Sequence, residues 1–470
     1  MVRLNHIRAK FIMSTEFELL TSTPRANAKC MFAVRRLMEI LASLAPSLSG
    51  VTGLFNGYGR IYVDCGGHLE LAIAECDSPY QLALIVERQQ RLVAKALAQL
   101  RSEGHELLLA NNNHSGLLQN NCPIWGTHEN YLTEQHPKEF AHQILPFLCT
   151  RIYGGAGGIE YPTGNFLAAV RPLWMELATG GGTTHQRAIH STAREEHHMG
   201  RSPNLFRYHC ILGDGHKAQY NLALQFGCTA LALKAIFYDE QLRDEIRDLS
   251  ELPPSTNWVT LLRRLNVLAR PEQSLAVDPL VFRVQRIYLD AARRYAESLP
   301  DPPKWIARML CDWEETLAAM ARTDRSWLAA RLDNFAKYEF YSSVLEQAAL
   351  PWSSLPKHQE MFHELALLDH SYHSLGAENS VFDSLEQAGV LQHRVGDRVE
   401  PGNEPEPYVF ATKSRAATRA RFIRDHADED GLIMDWAGIH DMQHNRHRTL
   451  YGPFAQEYGP WDTKGNARGH

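Results

Sequence analysis

Two glutamates stand two residues apart in an alternating segment near the start of the chain. In Lys10–Leu20, Glu16 and Glu18 share one face of a predicted strand, and the other face is mostly apolar. Two carboxylates on a buried face repel each other and lose hydration unless a cation neutralises them. The pair therefore predicts either a metal site or a face that is exposed to solvent.

A second set of polar side chains lies on two predicted strands that are joined by a turn. Arg60, Tyr62 and Asp64 alternate onto one strand face, and a turn at Gly66–Gly67 brings Glu70 beside them. Magnesium prefers oxygen ligands, and an arginine binds phosphate oxygens through two N–H groups. The set suits a Mg–ATP site in which Asp64 is the carboxylate left for proton transfer or nucleophilic attack. The alternative is a salt-bridged hairpin in which Asp64 only pairs with Arg60.

The elements that must position these residues change character along the chain. Strand patterns, turns and glycine clusters dominate up to Asn221, interrupted by predicted helices at Ala33–Ser47 and Pro79–Arg101. Further helices are predicted at Leu222–Phe237, Asp239–Leu249, Pro279–Leu299, Pro303–Arg322 and Arg325–Ala349. A stretch rich in Pro and Glu at Val399–Tyr408 predicts a linker. We therefore expect a catalytic domain at 1–398 and a small C-terminal domain at 399–470.

Bulk composition restricts the class of protein and its partners. The 470 residues carry a net charge of −6, which gives no general attraction to nucleic acid or to anionic membranes. No apolar run reaches the roughly 18 residues of a membrane helix, and no signal-peptide pattern opens the chain. The closest of the eight cysteines, Cys65 and Cys76, are eleven residues apart, so no Cys-x-x-Cys pair is present. These features predict a cytoplasmic enzyme with reduced thiols and neither nucleic acid nor membrane as a partner.

Eleven short stretches along nearly the whole chain carry further motifs: Ile12–Glu18, Arg60–Ser78, Trp125–Leu132, Pro146–Arg151, Gly155–Gly157, Arg207–Asp214, Gly227–Leu231, Leu368–His373, Val381–Asp383, Thr418–Arg421 and Met434–Trp436. In the same order, these stretches resemble motifs of the Pup–protein ligases and their sister Pup deamidase/depupylases. The first resembles the family's Gly-Ile-Glu-Thr-Glu-Phe segment, and the third its Cys-His-Glu-Asn-Tyr-Leu segment.

This resemblance implies an α+β fold like that of glutamine synthetase: a curved, mostly antiparallel sheet backed by helices, with a small C-terminal domain. It also implies that ATP phosphorylates a carboxylate and that an amine then attacks the acyl phosphate to form an amide. In the ligases the carboxylate belongs to the C-terminal glutamate of the small protein Pup, and the amine is a lysine of the target protein. The implied cofactors are ATP and Mg²⁺.

Site residues carry over position by position. The resemblance assigns magnesium binding to Glu16, Tyr62 and Glu70. It assigns nucleotide contacts to Arg60, Ile73 and Trp436, and proton abstraction to Asp64. Four more residues are candidates for the metal shell: Glu18, His128, Glu129 and His209. For His209 the alternative is a strand histidine with ordinary hydrogen bonds, and for Trp436 it is a core anchor of the C-terminal domain.

The chain departs from the family at several positions near these motifs. Ile73 replaces a threonine, and His216–Gln219 replaces an Asn-Met-Ser-Glu stretch, which removes a carboxylate. The depupylases carry a long extra loop between the first two motifs, whereas only Leu19–Gly59 lies there in this chain, which favours a ligase over a deamidase or depupylase.

Two alternatives remain: a biosynthetic ligase joining a small carboxylate or peptide to a small amine, and an inactive binding scaffold. The scaffold is least favoured because the candidate site residues are all present.

Overall fold

Strands supply the scaffold of the N-terminal half. The computed structural model describes residues 8–22, 28–50, 53–64, 66–119, 122–192, 205–249, 252, 257–376, 378, 380–392, 394–396 and 414–463. The strands are β1 Met13–Glu18, β2 Leu20–Ser22, β3 Ser47–Ser49, β4 Gly53–Asn56, β5 Gly59–Val63, β6 Leu69–Ile73, β7 Leu108–Ala110, β8 Thr127–Thr133, β9 Gly158–Ile159, β10 Phe166–Leu167, β11 Leu177–Gly180, β12 Ala188–Ser191, β13 Phe206–Gly213, β14 Val267–Ala269, β15 Leu432–Met434, β16 Gly438–Asp441, β17 Arg446–Thr449 and β18 Asp462–Thr463.

Eleven of these strands form one sheet in the order β13-β8-β1-β6-β5-β4-β3-β15-β16-β17-β18. Every neighbouring pair is antiparallel except β3 and β15, which run parallel. Together with the many helices, this mostly antiparallel sheet confirms the predicted α+β class. The strands after residue 430 continue the main sheet. The predicted domain boundary at 398/399 and the linker Val399–Tyr408 lie outside the described residues.

Tight turns fix the register of β4, β5 and β6, the last two of which carry the second polar set. Between β4 and β5, the Asn56 side-chain oxygen accepts hydrogen bonds from the backbone N–H groups of Tyr58 and Gly59. Gly59 has φ +142°, and a Cβ there would collide with the Ala72 carbonyl oxygen. Between β5 and β6, Gly67 adopts φ +77° and donates its N–H to the Asp64 carbonyl at 2.8 Å. These turns place Tyr62 directly opposite Glu70.

Helices pack around a large apolar core. They are α1 Ala28–Leu44, α2 Pro79–Ser102, α3 Ala141–Thr150, α4 Gln219–Tyr238, α5 Glu240–Arg247, α6 Trp258–Leu265, α7 Pro279–Glu297, α8 Lys304–Arg322, α9 Arg325–Ala329, α10 Asp333–Gln347, α11 Gln359–Tyr372, α12 Val381–Gln387 and α13 Arg415–His426. Within the described ranges only α4 is long and apolar enough to cross a membrane, and 94% of its apolar window is buried inside the protein. Burial on all sides explains its uniform apolar character.

One predicted helix is divided in two. The sequence pattern predicts a continuous helix over Arg325–Ala349, but the structure ends α9 at Ala329 and begins α10 at Asp333. Asp333 is fully buried, its backbone N–H is donated to the Asn221 side chain, and its carboxylate accepts the backbone N–H groups of residues 217 and 218. These long-range bonds fix residue 333 at the start of α10, and local periodicity does not report them.

The C-terminal strands and α13 share a small core with strands β3 and β4 of the same sheet. Its buried members are Leu48, Phe55, Phe422, Ile423, Leu432, Met434 and Ile439, which come from β3, β4, α13, β15 and β16. Trp436 packs against this group. Residues from the two ends of the chain therefore build one wall beside the first two polar motifs.

Candidate active site

One face of five adjacent strands collects most of the predicted site residues. Glu16 lies opposite Ala72 of β6 and His128 of β8, and Glu18 lies opposite Glu70. Residues directly opposite each other on neighbouring strands project from the same face. The sheet therefore brings together side chains that lie far apart in the sequence, from β1 to β13.

Three carboxylates and a histidine form the first cluster on this face. Glu18, Asp64, His68 and Glu70 each offer a ligand atom, and these atoms all lie within 4.8 Å of one another. We call this group the three-carboxylate cluster. His68 was not predicted as a site residue, although its position four residues after Asp64, at the end of the glycine turn, was a usable signal. Its Nε2 lies 3.9 Å from an oxygen of Asp64.

A carboxylate and two histidines form a second cluster beside the first. Glu16, His128 and His209 also have ligand atoms within 4.8 Å of one another, and we call them the two-histidine cluster. The rings of His128 and His209 meet edge-on with centroids 4.8 Å apart. Arg207 donates to the second oxygen of Glu16 at 2.7 Å, a contact that was not predicted.

Electrostatics favours a cation at the three-carboxylate cluster. Burial, together with the nearby charge of Glu16, raises the pKa of Glu70 to about 8, although a hydrogen bond from Tyr62 partly opposes this. Burial and the charges of Glu70 and Glu16 likewise raise the pKa of the Tyr62 hydroxyl well above its usual range. Without a cation, the cluster cannot hold all its carboxylates ionised at neutral pH. The oxygen-rich donor set fits Mg²⁺.

At Glu16 the nearby charges are positive, so they lower the pKa of the carboxyl instead of raising it. Burial alone would raise the pKa of Glu16, but Arg207, His128 and His209 more than offset that effect and hold it well below its usual range. Glu16 is therefore ionised at neutral pH and available as a ligand.

Arg60 and Trp436 lie along one aromatic wall. The Arg60 guanidinium carbon lies 4.3 Å from the Tyr62 ring centroid and 5.5 Å from that of Phe55. The Phe55 ring in turn meets Trp436 edge-on at 5.2 Å. Trp436 also lines a cavity together with Glu16, Arg207, Asn130, Glu75 and Arg415. Trp436 thus packs against the small core and faces a cavity beside Glu16, so both interpretations of this residue describe part of its position.

Ile73 and Glu129 project away from this face. Ile73 is completely buried in the main core, and its carbonyl oxygen accepts a hydrogen bond from Ser14 at 3.0 Å. Glu129 alternates with His128 on β8 and pairs through both oxygens with Arg151 at 2.7 Å. Burial would raise the pKa of Glu129, but Arg151 outweighs it and the pKa is lowered. This placement corrects the expectation that Glu129 extends the metal shell, because adjacent strand residues face opposite sides.

The departures at 216–219 fall in buried networks outside both clusters. His216 bridges the Asp333 carboxylate at 3.0 Å and the Gly154 carbonyl oxygen at 3.2 Å. Asp214 accepts the backbone N–H groups of residues 156, 170 and 171, which ties the Gly155–Gly157 loop to the end of β13. The departures at 216–219 therefore lie among residues that pack behind the sheet, and none of them belongs to either cluster.

Comparisons of this chain with known proteins indicate a single family. Residues 15–440 match the model of the Pup-ligase protein family. The chain is 30% identical over 426 residues to the Pup–protein ligase of Acidimicrobium ferrooxidans, covering 86% of this chain and 87% of that protein. It is 26% identical over 476 residues to the Pup–protein ligase of Corynebacterium aurimucosum, covering 96% and 94%.

Solved structures agree in fold. The structure of the ligase PafA in complex with Pup matches with a TM-score of 0.71 and 21% identity, covering 96% of this chain and 89% of that one. The structure of PafA in complex with ADP matches with a TM-score of 0.63 and 21% identity, covering 93% of each chain. The resemblance read from the motifs is confirmed, and the chain belongs to the Pup-ligase protein family.

Proposed function

We propose that this protein is an ATP-dependent carboxylate–amine ligase that forms an isopeptide bond through an acyl phosphate and releases ADP. One observation carries the proposal. Arg60, Tyr62, Asp64 and Glu70 lie on one sheet face, together with the carboxylates of Glu16 and Glu18 on the neighbouring strand. Membership of the ligase family supports the same reaction. A degraded scaffold would have lost some of these groups.

The residues of the candidate site would have different chemical roles. Glu18 and Glu70 of the three-carboxylate cluster would hold Mg²⁺, which when bound neutralises the triphosphate and the transferred phosphoryl group, and Asp64 would be left for proton transfer. Arg60, which lies against the aromatic wall, would bind phosphate oxygens, and Trp436 would face the base of the nucleotide from the adjoining cavity.

Asp64 is placed to remove a proton from the attacking amine. It lies at the end of β5 next to the glycine turn, and 37% of its side chain remains exposed to solvent. An incoming lysine ammonium can reach it there. Once the ammonium has lost its proton, the free amine attacks the acyl phosphate and phosphate leaves as the amide forms.

For the substrates, we propose a Pup-like small protein as the carboxylate donor and a protein lysine as the acceptor. The support comes from relatives named Pup–protein ligase and from the fold of PafA solved with Pup. The small-molecule alternative gains no support from these relatives. The cytoplasmic location expected from the composition remains part of the proposal.

A direct test mixes the purified chain with ATP, Mg²⁺, a Pup-like protein ending in glutamate and a lysine-bearing acceptor protein. Mass spectrometry should find the donor joined to an acceptor lysine, and the Asp64→Asn variant should give far less product. A donor ending in glutamine tests the hydrolase alternative in parallel. Release of ammonia from that donor, with no joined product from either donor, would reject ligation in favour of deamidation.

A further inference from the structure

The peptide group between Trp125 and Gly126 contacts the three-carboxylate cluster through its N–H. The Gly126 N–H donates a hydrogen bond to Oε2 of Glu18, and the Glu18 N–H donates to the Gly126 carbonyl oxygen at 2.9 Å. A Cβ on residue 126 would lie 3.0 Å from that same Glu18 oxygen and would collide with His128 Nε2, so this close approach requires glycine. The orientation of this one peptide group therefore influences where the Glu18 carboxylate lies.

The carbonyl oxygen of the same peptide group is held by Asn113. The Asn113 Nδ2 donates to the Trp125 carbonyl oxygen at 3.1 Å, and the Trp125 N–H donates to the Asn113 carbonyl oxygen, also at 3.1 Å. The Arg171 guanidinium reaches the same Trp125 oxygen at 3.3 Å. Asn113 and Arg171 are each only 2% exposed, and hydrogen bonds between buried groups are stronger than those in water. The planar peptide group is thus held at its oxygen on one side and contacts Glu18 on the other.

The side-chain amide of Asn113 has a single consistent orientation. Its Oδ1 accepts a hydrogen bond from the Gly215 N–H at 2.6 Å. Because a backbone N–H can only donate and a carbonyl oxygen can only accept, the Asn113 oxygen must face Gly215 and its nitrogen must face Trp125. Asn113 therefore joins the segment after β13 to the peptide group that contacts Glu18.

We propose that Asn113 is a positioning residue for Glu18. It acts through the Trp125–Gly126 peptide group, which binds one oxygen of the Glu18 carboxylate and leaves the other for the Mg²⁺ of the three-carboxylate cluster. Asn113 itself lies outside both clusters. Hydrogen bonds that orient a ligating carboxylate in this way typically change metal affinity by roughly 10–100-fold. The inference rests on the proposed function for the role of Mg²⁺, but Mg²⁺ binding is measurable without ligation.

The test titrates the full-length chain with Mg²⁺ in the presence of saturating ADP and measures the Mg²⁺ affinity by calorimetry. Asn113→Asp is nearly isosteric but turns an oxygen towards the Trp125 carbonyl oxygen, so the two acceptors repel. The Mg²⁺ affinity should fall by roughly 10-fold or more.

Asn266→Asp is the matched control. Asn266 is also buried, and its side chain donates to the Ala169 carbonyl at 2.8 Å and accepts from the Ala169 N–H at 2.9 Å. Neither Asn266 nor Ala169 belongs to a cluster. The control should lose stability in urea as Asn113→Asp does, but it should keep the Mg²⁺ affinity of the wild type.

A double-mutant cycle with Glu18→Gln separates positioning from a general loss of stability. If Asn113 acts through Glu18, adding Asn113→Asp to Glu18→Gln should lower the Mg²⁺ affinity no further. Two residues that acted independently would instead give additive losses.

An equal Mg²⁺ affinity in Asn113→Asp and Asn266→Asp would overturn the inference, as would additive losses in the cycle or wild-type ADP binding that does not respond to Mg²⁺. Circular dichroism shows whether Asn113→Asp is folded, and if it is not, Asn113→Ala with Asn266→Ala as its control gives the same comparison. The expected Mg²⁺ affinities without ligation would reject only the proposed function. Ligation with an unchanged Mg²⁺ affinity in the folded Asn113 variant would reject only this inference.

Discussion

Replacing Glu75 by glutamine should loosen the contact between the C-terminal helix α13 and the sheet. Glu75 follows β6, and its carboxylate accepts hydrogen bonds from Arg415, at 2.7 Å, and from Arg419. Arg419 also donates to the Trp436 carbonyl at 2.8 Å and lies 5.0 Å from the Trp436 ring centroid. The buried Glu75 carboxylate therefore fixes the positions of two arginines. Through Arg419 it also fixes Trp436 in the aromatic wall of the cavity.

Two independent routes give the size of the effect. Burial alone would raise the pKa of Glu75, but Arg419 and Arg415 outweigh it and lower the pKa from 4.5 to about 2. A shift of that size corresponds to about 3 kcal/mol of stability at neutral pH. Leaving a buried charge without its partner costs about 3–5 kcal/mol. Both routes predict that Glu75→Gln lowers the free energy of unfolding by about 3 kcal/mol.

The pH dependence has a definite sign. Because the folded-state pKa of Glu75 is depressed, its stabilisation is complete above the unfolded-state pKa near 4.5 and is lost as the pH falls towards 2. The gap between the wild type and Glu75→Gln should therefore be widest at neutral pH and close between pH 4.5 and 2.

Urea unfolding at pH 7 and pH 3 measures this difference in the free energy of unfolding. Calorimetry measures the affinity for ADP, which should be lower in the variant because the cavity wall is less firmly held. Glu103→Gln is the matched control, because Glu103 pairs with Arg36 at 2.6 Å on the surface and should change stability by less than about 1 kcal/mol. A Glu75→Gln variant as stable as Glu103→Gln at pH 7, with unchanged ADP affinity, would refute the reasoning.

Three further substitutions test separate parts of the site. Asp64→Asn should keep nucleotide binding but slow ligation by roughly 10²–10⁴-fold, and full activity with lost ATP binding would make Asp64 a metal ligand instead. Glu70→Gln should weaken Mg²⁺-dependent ATP binding measured by calorimetry while circular dichroism stays unchanged, and unaltered affinity would remove Glu70 from the metal site. Glu129→Gln should lower stability by about 3–5 kcal/mol in urea because Arg151 loses a buried partner, and altered metal affinity in the folded variant would restore Glu129 to the metal shell.

Alternation and turn chemistry were enough to predict the centre of the site. Glu16 and Glu18 on β1, and Tyr62 and Glu70 across one turn, share a face because strand side chains repeat every two residues and the glycine turn sets the register. The same rule separates His128 from Glu129, which the family resemblance had grouped. Applied to β8, it would have placed only one of the two on the site face.

Other features depended on long-range pairing that no local pattern reports. The contact between Phe55 and Trp436 exists because β15 pairs with β3, although the two strands are almost 400 residues apart in sequence. Arg207 reaches Glu16 only because β8 lies between β13 and β1. At the break between α9 and α10, the backbone N–H of Asp333 likewise donates to the distant Asn221 side chain. The first two contacts follow from strand order and the third from helix packing, and periodicity leaves both open.

In the proposed reaction the donor carboxylate is first converted to an acyl phosphate, and this intermediate can be trapped and measured directly. The chain is incubated with ATP, Mg²⁺ and a Pup-like donor ending in glutamate, with hydroxylamine in place of the acceptor protein, and the donor and nucleotide products are analysed by mass spectrometry. The account predicts a hydroxamate on the donor's carboxylate and an equal amount of ADP, both greatly reduced in Glu70→Gln. Formation of AMP and pyrophosphate, or hydroxamate formation without ATP, would contradict it.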